Sequence, residues 1–152
     1  MSNSIYAPDL TQRPPRSVRV RLGGYVLLPR MLDKGRATIV GKNGEFHFNC
    51  PLDQHILGFL GIDAEALKVE LAKDLSDEEV LAWITTNAKH KHSAWEISQW
   101  SDFQDRRGPD GDAETLSYFA AYAAKLSKTR EDQRTWADLL DIDDYITFGG
   151  KA

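Results

Sequence analysis

The sequence predicts an all-α single domain, on three observations. Apolar residues recur at i, i+3, i+4 and i+7 in several stretches, the spacing of one helical face. Two capping-box strings, Ser76-Asp-Glu-Glu79 and Ser93-Ala-Trp-Glu96, mark helix starts. Period-2 alternation, the mark of strands, is confined to two short runs. The chain has 152 residues, is 41% hydrophobic and 28% charged, and so suits one compact core. About six or seven helices are expected over 25–148, preceded by an extended Arg- and Pro-rich arm over 1–24.

Pro8, Pro14 and Pro15 make the arm irregular, because each fixes the backbone and removes a donor. Ser17 to Leu22 alternates and could be extended until Gly23-Gly24 breaks it. The first helix is expected from Tyr25 to Val40, with Leu28, Met31, Leu32, Gly35 and Ile39 on one face. Pro29 then belongs in the first turn, where its missing N–H costs nothing. After a turn at 41–44, Glu45 to Asn49 alternates weakly and could form one very short strand segment.

Pro51 suits the first position of the next helix, whose stripe reads Leu52, His55, Ile56, Phe59 and Leu60, with Gly61 as its stop. Asp63 can cap a helix through Leu71. The Ser76 helix presents Val80, Trp83, Ile84 and Ala88; the Ser93 helix presents Ile97, Trp100 and Phe103. Gly108-Pro-Asp-Gly111 is a loop. Leu116, Phe119, Ala120 and Ala123 mark another helix, and Trp136, Leu139 and Leu140 the last. The four tryptophans are expected in the core.

Composition narrows the function classes. No stretch approaches the roughly 18 apolar residues of a membrane span, and Met1 to Leu10 has no signal-peptide pattern. A single cysteine, Cys50, leaves no internal disulfide and fits a reducing, cytoplasmic compartment. The formal charge of −4 hides an asymmetry. Residues 12–36 carry seven basic side chains against Asp33 alone, whereas 37–152 carry twelve against twenty-one acids. Nucleic acid is not an expected partner of so acidic a body. There is no GxxxxGK, GxGxxG or HExxH string, so neither a cofactor nor a built-in metal is expected; His90 and His92 read as a polar linker.

Two candidate sites remain. Arg16, Arg19, Arg21, Arg30 and Arg36 offer planar forks for a small anionic ligand or an acidic protein surface. Alternatively they pair with the chain's own acids, for which Asp138, Asp141, Asp143 and Asp144 are natural counter-charges. Clasping those acids on a second protomer would make a homodimer. Cys50, ahead of Pro51, would cap a helix whose N–H groups and dipole stabilise a thiolate. His47 or His55 could then act as base and Asp53 as orienter. A small structural cysteine is the plain alternative.

Three strings point further: Leu28-Pro-Arg-Met-Leu-Asp-Lys-Gly-Arg-Ala37, Gly44-Glu-Phe-His-Phe-Asn-Cys-Pro-Leu-Asp53 and Trp136-Ala-Asp-Leu-Leu-Asp-Ile-Asp-Asp144. With Leu22-Gly-Gly-Tyr25, they resemble a bacterial family known as domain of unknown function 5069, over residues 7 to about 148. The resemblance implies a small, largely helical protein and supplies no catalytic residue. Gly35 stands where the family often has alanine, a weakening of under about 1 kcal/mol for the helix. The leading expectation is a non-catalytic binding protein using the arginines, and the alternative is a Cys50-dependent enzyme or redox-responsive protein.

Overall fold

The computed structural model describes residues 5–109 and 111–152. Seven helices follow one another among them: α1 Leu28–Ile39, α2 Pro51–Leu60, α3 Ala64–Leu71, α4 Asp77–Asn87, α5 Ala94–Arg106, α6 Ala113–Leu126 and α7 Trp136–Thr147. None is long and apolar enough to cross a membrane. No sheet forms among the described residues. Glu45 to Asn49, the expected strand, is a pair of turns with Asn49 at φ 63°. The only β feature among them is an isolated bridge between Leu22 and Tyr25 across Gly23-Gly24.

Helix starts follow their local chemistry. Ser76 and Ser93 accept from the Glu79 and Glu96 N–H groups, and each glutamate reaches back to its cap residue. Thr135 and Asp138 form a third such box at the start of α7. Gly61 ends α2 at φ 68°, a left-handed position that suits glycine, and its N–H donates to the Leu57 carbonyl at 2.8 Å. The α1 start is later than the spacing suggested. Leu27 takes a left-handed φ of 69° and Pro29 sits in the first turn.

α1 is the central element. It packs on α3, while α7 packs on α5 and α6. Leu28, Met31 and Leu32 meet Ile56 and Leu60 of α2, Leu67 and Leu71 of α3, and Val80 and Ile84 of α4 in one core. The expectation of a single buried face fails here: Arg30, Asp33, Lys34 and Arg36 are buried too. Gly35 explains part of this closeness. A Cβ there would stand 2.6 Å from Leu71 Cδ1 and 3.3 Å from the Phe48 ring. Its role is close approach of α1 to α3, beyond a change in helix propensity.

The N-terminal segment lies against this body. Leu10 and Val18 are buried, the Leu10 N–H donates to the Lys42 carbonyl, and the Leu27 N–H donates to the Val18 carbonyl. Val20 is exposed, so the 17–22 alternation does not describe one face. Trp95 is also exposed, against the expectation of a core tryptophan.

Candidate functional site

A helix buried all round must neutralise its polar residues. Arg30 and Lys34, four residues apart on α1, point to the same side of it. Arg30 makes a two-pronged pair with Asp144 of α7, at 2.7 and 3.2 Å. Its guanidinium carbon also lies 5.5 Å from the centre of the Phe46 ring. Burial, outweighing the Arg30 pairing, holds the Asp144 carboxyl above its usual range. Lys34 pairs with Asp53 of α2 at 2.8 Å, and both side chains are at most 4% exposed.

Cys50 meets this pair. It is the cap residue of α2, but its sulfur makes no cap hydrogen bond. Asp53, in the first turn, reaches back past the cap residue: its Oδ2 accepts the Asn49 N–H at 2.9 Å while Oδ1 faces Lys34. Sγ is left to accept from Lys34 Nζ at 3.2 Å. Sulfur, ammonium and carboxylate thus form a connected set from two helices.

Cys50 and Lys34 border a cavity of about 620 Å³. Leu10, Phe46, Leu52, Leu140 and Phe148 form its apolar wall; Arg30, Lys34, His47, Cys50, Asp143 and Asp144 supply polar groups. Phe46 and Phe148 lie parallel, 6.4 Å apart. Asp143 accepts from the Tyr122 hydroxyl, and burial together with that carboxylate raises the Tyr122 pKa.

The expected cysteine site is therefore assembled differently. His47 is exposed and lines the same cavity, yet neither it nor His55 hydrogen-bonds to the sulfur among the described residues. His55 is exposed on α2, because the buried stripe runs Asp53, Ile56, Leu57 and Leu60, one step round from the expected one. Partial burial and the Arg107 charge push its imidazole below the usual range. Asp53 orients Lys34 instead of an imidazole. Lys34 itself was missed. Its sequence signal is weak: a lysine four residues after Arg30, off the apolar face of α1.

Each of the five arginines meets carboxylates of its own chain. Arg16 bridges Asp33 and Asp77, at 3.0 and 2.7 Å, and Arg36 joins it on Asp77 at 2.7 Å. Burial opposes ionisation of Asp77, but the hydrogen bonds from Arg16 and Arg36 outweigh it and hold the carboxyl below its usual range. Arg19 pairs with Asp138 and Asp141, and Arg21 with Asp102 and Asp105. Arg16 and Arg36 meet at Asp77, but the five do not share one cleft. Arg16 and Arg36 line a groove of about 640 Å³ on another part of the surface, and of the five only Arg30 borders the Cys50 cavity. His92 stacks on Phe59 at 3.7 Å. No group of three or more His, Cys, Asp or Glu side chains is placed to hold a metal ion among the described residues.

No curated protein matches the chain. One family model does, that of a domain of unknown function (DUF5069), over residues 12–146. That span takes in every helix start described above and the whole Arg30–Lys34–Cys50–Asp53 set, and by that match the chain belongs to the domain-of-unknown-function family 5069.

Proposed function

We propose that the cavity beside Cys50 binds a small molecule with an apolar body, and that Cys50 attacks an electrophilic centre on it. The observation that carries this is the 3.2 Å contact of Lys34 Nζ with Sγ at the edge of a cavity of about 620 Å³. Small-molecule pockets span about 300–1,000 Å³ and are mostly apolar with a few placed polar groups. The thiolate is the nucleophilic form of cysteine, and an ammonium held in contact is the partner that form needs. Asp53 keeps Lys34 in place. An apolar body would rest on Phe46, Leu52, Leu140 and Phe148, with its polar end toward Arg30 and Lys34. On attack an S–C bond forms, the displaced electron pair moves onto the ligand's polar end, and the thiol proton passes to solvent, with His47, an exposed residue of the lining, as the imidazole on the cavity wall. A free thiol of this kind suits a reducing compartment such as the cytoplasm.

Anion or partner binding by Arg16, Arg19, Arg21 and Arg36 is the weaker reading. An incoming anion would have to displace a carboxylate from each of them.

The test is a panel of chloroacetamides with bodies from methyl to aryl, scored by intact mass. Rates at Cys50 are divided by rates with glutathione. The expected result is a ratio that rises with the apolar body and collapses in denaturant. A flat ratio across the panel would overturn the reading.

A further inference from the structure

We infer that Cys50 and Lys34 are an oxidative modification site, at which peroxide links the two side chains through a sulfur–nitrogen bond. The inference rests on the reading above only in needing Cys50 to be reachable from the cavity.

The geometry is that of two reacting atoms already in contact. Nζ lies 3.2 Å from Sγ, and the Lys34 side chain is 4% exposed, so it has little freedom to leave. Oxidised cysteines are usually resolved by a second thiol. This chain has one cysteine, so no internal disulfide competes. The residue after Cys50 is Pro51, which has no backbone N–H to close a cyclic sulfenamide. The Lys34 nitrogen is the group placed to react.

Two steps balance. The sulfur attacks one oxygen of the peroxide; an S–O bond forms, the O–O bond breaks, and the second oxygen leaves as water with the thiol proton. Sulfur gives up two electrons and the peroxide gains them, leaving a sulfenic acid. Asp53, 2.8 Å from Nζ, then takes one ammonium proton and passes it to solvent. The freed amine attacks sulfur; an N–S bond forms and the S–O bond breaks. The hydroxyl leaves as water with a second nitrogen proton, and the third stays on nitrogen. Lys34 loses its charge, and Asp53 loses its ion pair. Oxidation would therefore withdraw the nucleophile and loosen the start of α2 in one event.

The experiment treats the full-length chain with hydrogen peroxide at near-equimolar dose and maps it with trypsin. In the reduced protein trypsin cleaves after Lys34. In the linked protein that cleavage is lost, and the peptide 31–36 is joined to 43–68 with two hydrogens missing. Dithiothreitol should restore both peptides. Lys34→Arg, which keeps the charge without the nucleophilic amine, should give sulfenic acid trapped by dimedone and no link. Cys50 found as sulfenic, sulfinic or sulfonic acid, or unoxidised, with normal cleavage after Lys34 would overturn the inference. A parallel iodoacetamide arm separates the two proposals. Alkylation without linkage refutes only the cross-link, and absence of both refutes the reactive cysteine as well.

Discussion

Replacing Asp53 with alanine tests the polar set on which α1 and α2 meet. Asp53 and Lys34 are at most 4% exposed on their side chains. Removing one member of a buried ion pair strands the other and costs about 3–5 kcal/mol. The Asn49 N–H also loses its acceptor, which adds about 1 kcal/mol if water does not replace it. The expected total is about 5 kcal/mol, against a whole-domain stability of about 5–15 kcal/mol. With a urea m-value of about 2 kcal/mol/M, the midpoint should fall by about 2.5 M. Tryptophan fluorescence can follow it. The paired variant Lys34→Met, Asp53→Leu removes both charges and should recover most of the loss. A single variant within about 0.5 kcal/mol of wild type, the range of ordinary surface changes, would refute the burial of this pair.

Other expectations follow from the same contacts. Arg30→Ala strands Asp144 and gives up the Phe46 contact, so a loss of about 3 kcal/mol is expected by urea unfolding. Gly35→Ala gains about 1 kcal/mol in helix propensity but drives a Cβ into Leu71, and overpacking costs about 1–3 kcal/mol; a net loss near 1 kcal/mol is expected, whereas the same change made in a Leu71→Ala background should be stabilising. Asp77 has a folded pKa below its unfolded one, so its stabilisation is present above the unfolded value and is lost as pH falls from about 5 toward 2. Asp77→Asn should be less stable at pH 7 and show a shallower acid decline; equal slopes would contradict the Arg16–Asp77–Arg36 bridge.

Helices were legible where their starting chemistry is local. Ser76 and Ser93 announce their boxes by a glutamate three residues on, and Pro51 and Gly61 bracket α2. The box at Thr135 was not legible, because its third residue is Asp138 and not the usual longer acid. The placement of Cys50 at a helix start could be read from Pro51 alone. What surrounds it could not. Periodicity assigns one buried apolar face to each helix, so it gives no sign that Arg30 and Lys34 of α1 are buried as well. The same assumption turned α2 by one position, favouring His55 over the charged Asp53 that is in fact buried. Contact between Lys34 and Cys50 joins two elements sixteen residues apart, and only packing of the whole core decides it.

The rate of Cys50 alkylation by iodoacetamide at pH 7, compared between the native chain and the same chain in urea, reads whether Lys34 activates the thiol. Unfolding removes Lys34 from the sulfur and opens the cavity, so the account expects the native thiol to react faster than the unfolded one. A native thiol that reacts more slowly, or only after unfolding, would make Cys50 a structural residue at the start of α2.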